Sequence, residues 1–144
     1  NMIAWGLLST DDDEISIYYT QHYRHSTAHL RRGTLRTDGF VSLAATYEGG
    51  EFVTWPISFE GNQLEINFRT SAIGGLRIEL QYPNGDPIDG FTLAEADEMF
   101  GDDISRVVTW RGKGDLSHLE GRALRLHFVF KDAEVYSFRF AADS

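Results

Sequence analysis

The sequence contains no cysteine, which excludes disulfide bonds and thiolate chemistry. It also has no apolar run that approaches the roughly 18 residues needed for a membrane-spanning helix. No basic segment followed by an apolar one, the pattern typical of a secretion signal, opens the chain. Basic residues are in the minority, with 13 Lys and Arg against 22 Asp and Glu and a formal net charge of −9. A negative field repels nucleic acids and anionic membranes, so we expect neither as a partner.

Motifs for several kinds of catalysis are missing as well. The sequence has no G-x-S-x-G nucleophile motif, no phosphate-binding loop and no dinucleotide-binding glycine pattern. A glycoside hydrolase needs two carboxyl groups that face each other across roughly 5 to 9 Å. The acids here occur in runs such as Asp97-Glu98, and adjacent residues of a strand point to opposite faces. We therefore predict no catalytic residues, and an enzyme in its own right is the less favoured interpretation.

Apolar and polar residues alternate with a period of two along most of the chain, which is typical of strands with one buried face. Turn pairs such as Asp38-Gly39 and Asn84-Gly85 separate the alternating runs. Only Thr92 to Phe100 suggests a helix, and residues 115–121 suggest a single helical turn. The pattern predicts an all-β fold, a two-sheet antiparallel β-sandwich of jelly-roll type, that forms one domain over residues 1–144.

The most basic stretch, Glu14 to Arg32, contains three histidines at spacings of three and four: His22, His25 and His29. On a helix they could share a metal ion, but the flanking period of two predicts a strand followed by a loop. No carboxylate lies at a spacing that would complete a zinc site. A hairpin with exposed polar residues is therefore the favoured interpretation.

One face of the predicted sheet is rich in arginine and amide groups. Planar donors of this kind suit sugar hydroxyls and acidic groups, although exposed strand faces are polar in most sandwiches. By alternation Trp55, Trp110 and Tyr82 belong to the core, whereas Tyr18 and Tyr23 are candidates for exposed aromatics. The residues that we predict to bind a ligand are Tyr23, Asn67, Arg69, Arg77, Glu79, Gln81, Arg125 and His127.

Asp102 and Asp103 follow Gly101 and could supply oxygen ligands to a structural calcium ion. A dedicated calcium-loop spacing is absent. We expect no required cofactor, with calcium as the one metal that the sequence suggests.

The segments "LRRGTLRTDGFVSL", "FVTWPISFEG" and "LRIELQYPNGDPIDGF" give the chain a family resemblance. With "EISIYYT" before them, they resemble the junction and C-terminal β-sandwich of bacterial proteins related to five-bladed-propeller glycoside hydrolases of the invertase type. The resemblance covers almost the whole chain. It implies that residues 1–37 correspond to the end of an upstream catalytic domain and residues 38–144 to the sandwich core.

The resemblance further implies a non-catalytic carbohydrate-binding accessory module of a polysaccharide-degrading enzyme. Its expected partners are an oligo- or polysaccharide, neutral or acidic, and the upstream catalytic propeller. The expected location of the parent protein is the periplasm or the exterior, with the signal outside this chain. The alternative is a structural sandwich that packs on the propeller and stabilises it without binding glycan.

Overall fold

The computed structural model describes residues 2–3, 7–22 and 24–142, and these residues form strands, turns and a single 3-10 helix. The predicted all-β fold with antiparallel sheets is confirmed, because both sheets of the described chain are antiparallel throughout. The jelly-roll topology stays a prediction. No helix among the described residues is long and apolar enough to span a bilayer.

The chain divides into two compact units, Asn1–Val41 and Ser42–Ser144. The sequence analysis placed the division after residue 37. That residues 1–144 act as one domain stays a prediction. The first unit is a four-stranded sheet. Its strands are β1 (Met2–Ile3), β2 (Leu8–Ser9), β3 (Glu14–Gln21) and β4 (His29–Arg36), and β3 pairs with each of the others.

The second unit is a five-stranded sheet in the order β5-β9-β7-β8, with β6 also paired to β9. Two long strands dominate it and pair along most of their length. Both ladders of β7 shift register near Asn67, and the β7–β9 ladder shifts again between Thr70 and Gly75. The strands are β5 (Leu43–Ala45), β6 (Gly50–Val53), β7 (Gln63–Gln81), β8 (Asp102–Val107) and β9 (Arg125–Ala141).

The core of the second unit lies on one face of this sheet, because the apolar residues of β7 and β9 alternate onto it. Ile66, Ile78 and Phe128 are fully buried there. The segments that connect β7 to β8 and β8 to β9 cover this face with further apolar side chains. Among them Trp110 is 2% exposed, and its indole N–H donates to the carbonyl of Ile78 at 2.8 Å. The core position predicted for Trp110 is therefore correct.

The predicted helix at residues 92–100 is wrong. Thr92 and Glu95 make the capping contacts, with the Thr92 hydroxyl donating to the Glu95 carboxylate at 3.0 Å, but only a turn follows. Ala96 instead forms a bridge with Trp110, and Met99 forms one with Leu76. After a single helical hydrogen bond, from the Ala96 amide to the Thr92 carbonyl at 2.9 Å, these β-type contacts take the place of further helical bonds. Residues 117–119 form the expected short helical turn.

Candidate functional site

The side of the second sheet that faces away from its core carries most of the predicted ligand-binding residues. Cross-strand pairing places Arg77 opposite Val129, Glu79 opposite His127 and Gln81 opposite Arg125. Strand β6 extends the row, since Val53 lies opposite His127. We call this surface the outer face and define it by Glu51, Val53, Trp55, Arg77, Glu79, Gln81, Arg125 and His127.

Glu79 lies at the centre of the outer face but is only 7% exposed, so the prediction that it points into solvent is wrong. Its carboxylate accepts hydrogen bonds from the Gln81 amide at 2.8 Å and from the backbone N–H of Leu93 at 2.9 Å. The Nδ1 atom of His127 lies 3.4 Å away. Burial acts to raise the pKa of Glu79, and the hydrogen bonds from Gln81, Leu93 and His127 outweigh it and lower the pKa. Glu79 therefore holds its neighbours in position.

His127 connects this buried carboxylate to the edge of the sheet. Its Nε2 atom lies 2.8 Å from Oε2 of Glu51, whose side chain is 68% exposed. The His127 side chain itself is 14% exposed. A ring held between two carboxylates has a fixed orientation, and both nitrogens of His127 are engaged within the outer face.

Arg77 lines a groove of about 500 Å³ at the other end of the outer face. Its Nη2 atom is 3.8 Å from Oε2 of Glu98. The groove brings together three glutamates and two cations that no local sequence pattern connects, because they come from four separate segments. Its charged lining residues are Glu48, Glu51, Glu98, Arg77 and Lys131.

Trp55 is 85% exposed, so its predicted core position is wrong. The strand that alternation predicted through Trp55 ends at Val53, and Pro56 follows, which cannot donate to a ladder. The chain nevertheless continues beside β9, since the Thr54 amide donates to the carbonyl of Leu126 at 3.0 Å and Ile57 forms a bridge with Leu124. Trp55 therefore presents its ring next to the polar row. Tyr82, also predicted to be core, is 46% exposed.

Two predicted residues of β7 lie away from this cluster. Asn67 is only 3% exposed, so its predicted exposure is wrong. It sits where both ladders of β7 shift register, and simple alternation does not hold at bulges. Arg69 is exposed but pairs with Glu134 at 2.6 Å and lines a second groove of about 460 Å³ that also contains Tyr47.

The predicted calcium ligands do not converge. Asp102 and Asp103 are consecutive residues of β8, so they point to opposite sides. Asp103 accepts from Arg106 Nε at 3.0 Å and from the Ser105 N–H at 3.2 Å. Burial acts to raise the pKa of Asp103, and these hydrogen bonds lower it overall. No group of three His, Cys, Asp or Glu residues suited to a metal ion occurs in the described ranges, and calcium stays a prediction.

The histidine-rich stretch forms the hairpin β3–β4, as the favoured interpretation has it. His29 bonds through Nδ1 to the Thr27 carbonyl at 2.8 Å, and its Nε2 accepts from Arg31 Nε at 3.1 Å. His22 lies beside it with its ring centroid 5.6 Å away in an edge-on arrangement. Both ring nitrogens of His29 are thus in use within the hairpin. Tyr23, a predicted ligand-binding aromatic, lies outside the described residues.

Comparison with known proteins returns no relative. No protein-family model, no curated protein and no solved structure matches the chain. The resemblance to a propeller-associated sandwich therefore stays a prediction. The assignment of function rests on the outer face, which combines one exposed indole with several planar hydrogen-bonding side chains.

Proposed function

We propose that the chain is a non-catalytic carbohydrate-binding module that attaches a polysaccharide-degrading enzyme to its substrate, and that the outer face binds the glycan. The observation that carries the proposal is Trp55, which is 85% exposed beside the polar row of β7 and β9. A flat indole covers the apolar face of a sugar ring, and planar amide and guanidinium groups hydrogen-bond its hydroxyls.

Some groups of the outer face are buried and position their neighbours, whereas others are accessible to a ligand. Glu79 is buried, and it orients Gln81 and His127 through its hydrogen bonds. Orientation before binding lowers the entropy that is lost when a ligand docks. A single open surface of this size binds weakly, and tethering to an upstream enzyme raises the effective concentration of the module at its substrate. A periplasmic or extracellular parent protein belongs to the same proposal.

A glycan array probed with the 144-residue chain tests the proposal, with neutral and acidic polysaccharides and with or without chelator. In Trp55→Ala we expect affinity to fall about 30-fold, because roughly 80 Å² of apolar contact at about 25 cal/mol per Å² is about 2 kcal/mol. The melting temperature should hardly change, since Trp55 is a surface residue. Phe100→Ala is the matched control, because Phe100 is 63% exposed and lies outside the outer face.

The alternative is a structural module that packs on a catalytic propeller, and exposed apolar side chains favour it. Ile73 and Phe100 are each 63% exposed. They lie on two segments joined by a hydrogen bond from the Thr70 amide to the Gly101 carbonyl at 2.7 Å. Absence of binding to every glycan on the array would overturn the carbohydrate proposal in favour of this one. Equal loss of affinity in Trp55→Ala and Phe100→Ala would remove the outer face as the binding site.

A further inference from the structure

Arg125 differs from the other arginines of the two long strands. Arg69, Arg77 and Arg139 each pair with a glutamate, at 2.6, 3.8 and 2.6 Å respectively. The side chain of Arg125 makes no hydrogen bond or ion pair within the part of the chain that the structure describes, and its Nε–H is buried without an acceptor. Buried donors are nearly always paired in folded proteins, so an unpaired guanidinium group calls for an explanation.

The position of Arg125 suits it to binding. Its Nε atom is buried in the sheet while the residue as a whole is only partly buried, so the stem is held and the terminal nitrogens reach solvent. A guanidinium group keeps its charge at all physiological pH values and offers a planar fork that matches a carboxylate. Because the stem is already ordered, less side-chain entropy is lost when the fork engages a ligand.

Trp55 lies alongside this arginine. Residues 54 and 57 hydrogen-bond to Leu126 and Leu124, the two neighbours of Arg125 in the chain. Arg125 lies on the side of the sheet away from the buried Leu124 and Leu126, and Trp55 continues the alternation of Val53, which lies opposite His127 on that same side. A sugar ring stacked on Trp55 would therefore present its substituents to the guanidinium group.

The carboxylates that share the outer face are already engaged. Both oxygens of Glu79 accept hydrogen bonds, and Glu51 pairs with His127. Neither pairs with Arg125. The net charge of −9, however, repels a densely charged polyanion at long range. A ligand that can pair with Arg125 without strong repulsion by the acidic chain therefore carries isolated negative charges.

We infer that Arg125 is a specificity-determining subsite for the carboxylate of a uronic acid within an otherwise neutral glycan, with Trp55 under the sugar ring. The inference rests on the proposed function and goes beyond it by naming the chemical class of the ligand. It also assigns separate roles to the two residues. Trp55 contributes to any sugar, whereas Arg125 distinguishes an acidic sugar from a neutral one.

The test uses matched pairs of oligosaccharides, each a uronic-acid-containing chain and the same chain with its carboxyl group reduced to an alcohol. Glucuronoxylan oligosaccharides, which carry an isolated uronic acid on a neutral backbone, supply such pairs. Affinities are measured by titration calorimetry for the intact chain and for Arg125→Ala, Arg125→Lys and Trp55→Ala. Arg111→Ala is the control, because Arg111 is 77% exposed and lies in a turn away from the outer face.

The intact chain should bind the acid form about 10- to 100-fold more tightly than the reduced form, as expected when a charge-assisted bidentate contact is lost. In Arg125→Ala this preference should fall to about one, in Arg125→Lys to an intermediate value, and in Arg111→Ala it should persist. Trp55→Ala should weaken both forms by the same factor.

Binding of reduced glycans as tight as that of their acid forms would overturn the inference and leave the proposed function standing. An acid preference that persists in Arg125→Ala would also overturn it and move the charge recognition elsewhere. No binding to any member of the panel would overturn the inference, and the proposed function itself falls only if the glycan array described above also shows no binding. Because each variant is compared on two forms of one glycan, partial unfolding cannot imitate a lost preference.

Discussion

Glu79 is the residue of the outer face for which a structural role can be tested most directly against a role in ligand binding, and we predict the structural role. Its carboxylate, 7% exposed, accepts two hydrogen bonds of 2.8 and 2.9 Å. Hydrogen bonds to a charged group contribute roughly 1.5 to 3 kcal/mol each, and partial exposure of the partners places the total at the low end. We expect Glu79→Ala to lower the free energy of unfolding by about 2 to 4 kcal/mol, and Glu79→Gln by about 1 to 2 kcal/mol, because the amide keeps one acceptor for the Leu93 N–H.

The effect should depend on pH in a defined direction. The folded-state pKa of Glu79 lies below its ordinary value of 4.5, so the charged carboxylate stabilises the folded state above that pH. The contribution is lost as pH falls through the folded-state value and the group is protonated. The stability difference between the natural chain and Glu79→Gln should therefore be full at pH 7 and shrink toward pH 3. Carboxylates common to both proteins cancel in the difference.

The measurement is urea unfolding followed by tryptophan fluorescence and far-ultraviolet circular dichroism at several pH values. Buried Trp110 makes fluorescence a probe of the second unit. Glu65→Gln is the matched control, since Glu65 also lies on a strand of this sheet but pairs with the 70% exposed Arg139. A Glu79→Gln difference below about half a kcal/mol at pH 7, or one that stays constant down to pH 3, would refute this account of the carboxylate.

Two further predictions concern backbone packing and catalysis. Gly74→Ala should destabilise the fold by about 1 to 3 kcal/mol in the same unfolding assay, because an added Cβ would lie 2.2 Å from the Asp132 carbonyl oxygen. In the control Gly33→Ala the atom nearest to the added Cβ is 3.6 Å away. Equal stability of the two variants would contradict the predicted clash. The isolated chain should not hydrolyse chromogenic glycosides or polysaccharides, and turnover abolished by Glu51→Gln or Glu98→Gln would instead reveal an active site in the groove that those residues line.

Alternation predicted the core of the second unit because its two principal strands are long. Ile66, Ile78 and Phe128 are buried as a period of two requires. The same rule failed at Asn67, where two bulges interrupt the ladders. At Glu79 it gave the correct side of the sheet but not the burial, since the residue is 7% exposed and bonded to the N–H of the distant Leu93. Alternation determines which side of a sheet a residue faces. It does not reveal what later segments of the chain place over that side.

The site was harder to predict than the fold because its parts are far apart in the sequence. Glu51 and Glu98 meet in one groove although 47 positions separate them, and no local pattern predicts a pairing at that distance. Trp55 was assigned to the core because it continues the alternation of Val53. That alternation holds, since Val53 and Trp55 both lie on the outer face and are 45% and 85% exposed, so the error was to assign their side of the strand to the core.

Trp55 and Arg125 are candidates for ligand binding because of the side chains that surround them. Single exposed apolar residues are common on protein surfaces, and an unpaired arginine on an open surface is ordinary. Here the neighbouring charged groups of the outer face are paired, with His127 between two carboxylates and Arg77 near Glu98. The guanidinium group of Arg125, which pairs with no carboxylate among the described residues, lies beside Trp55, an 85% exposed indole. An incoming ligand with both an apolar face and an anionic oxygen would complement both groups at once, and an acidic sugar has both in one ring.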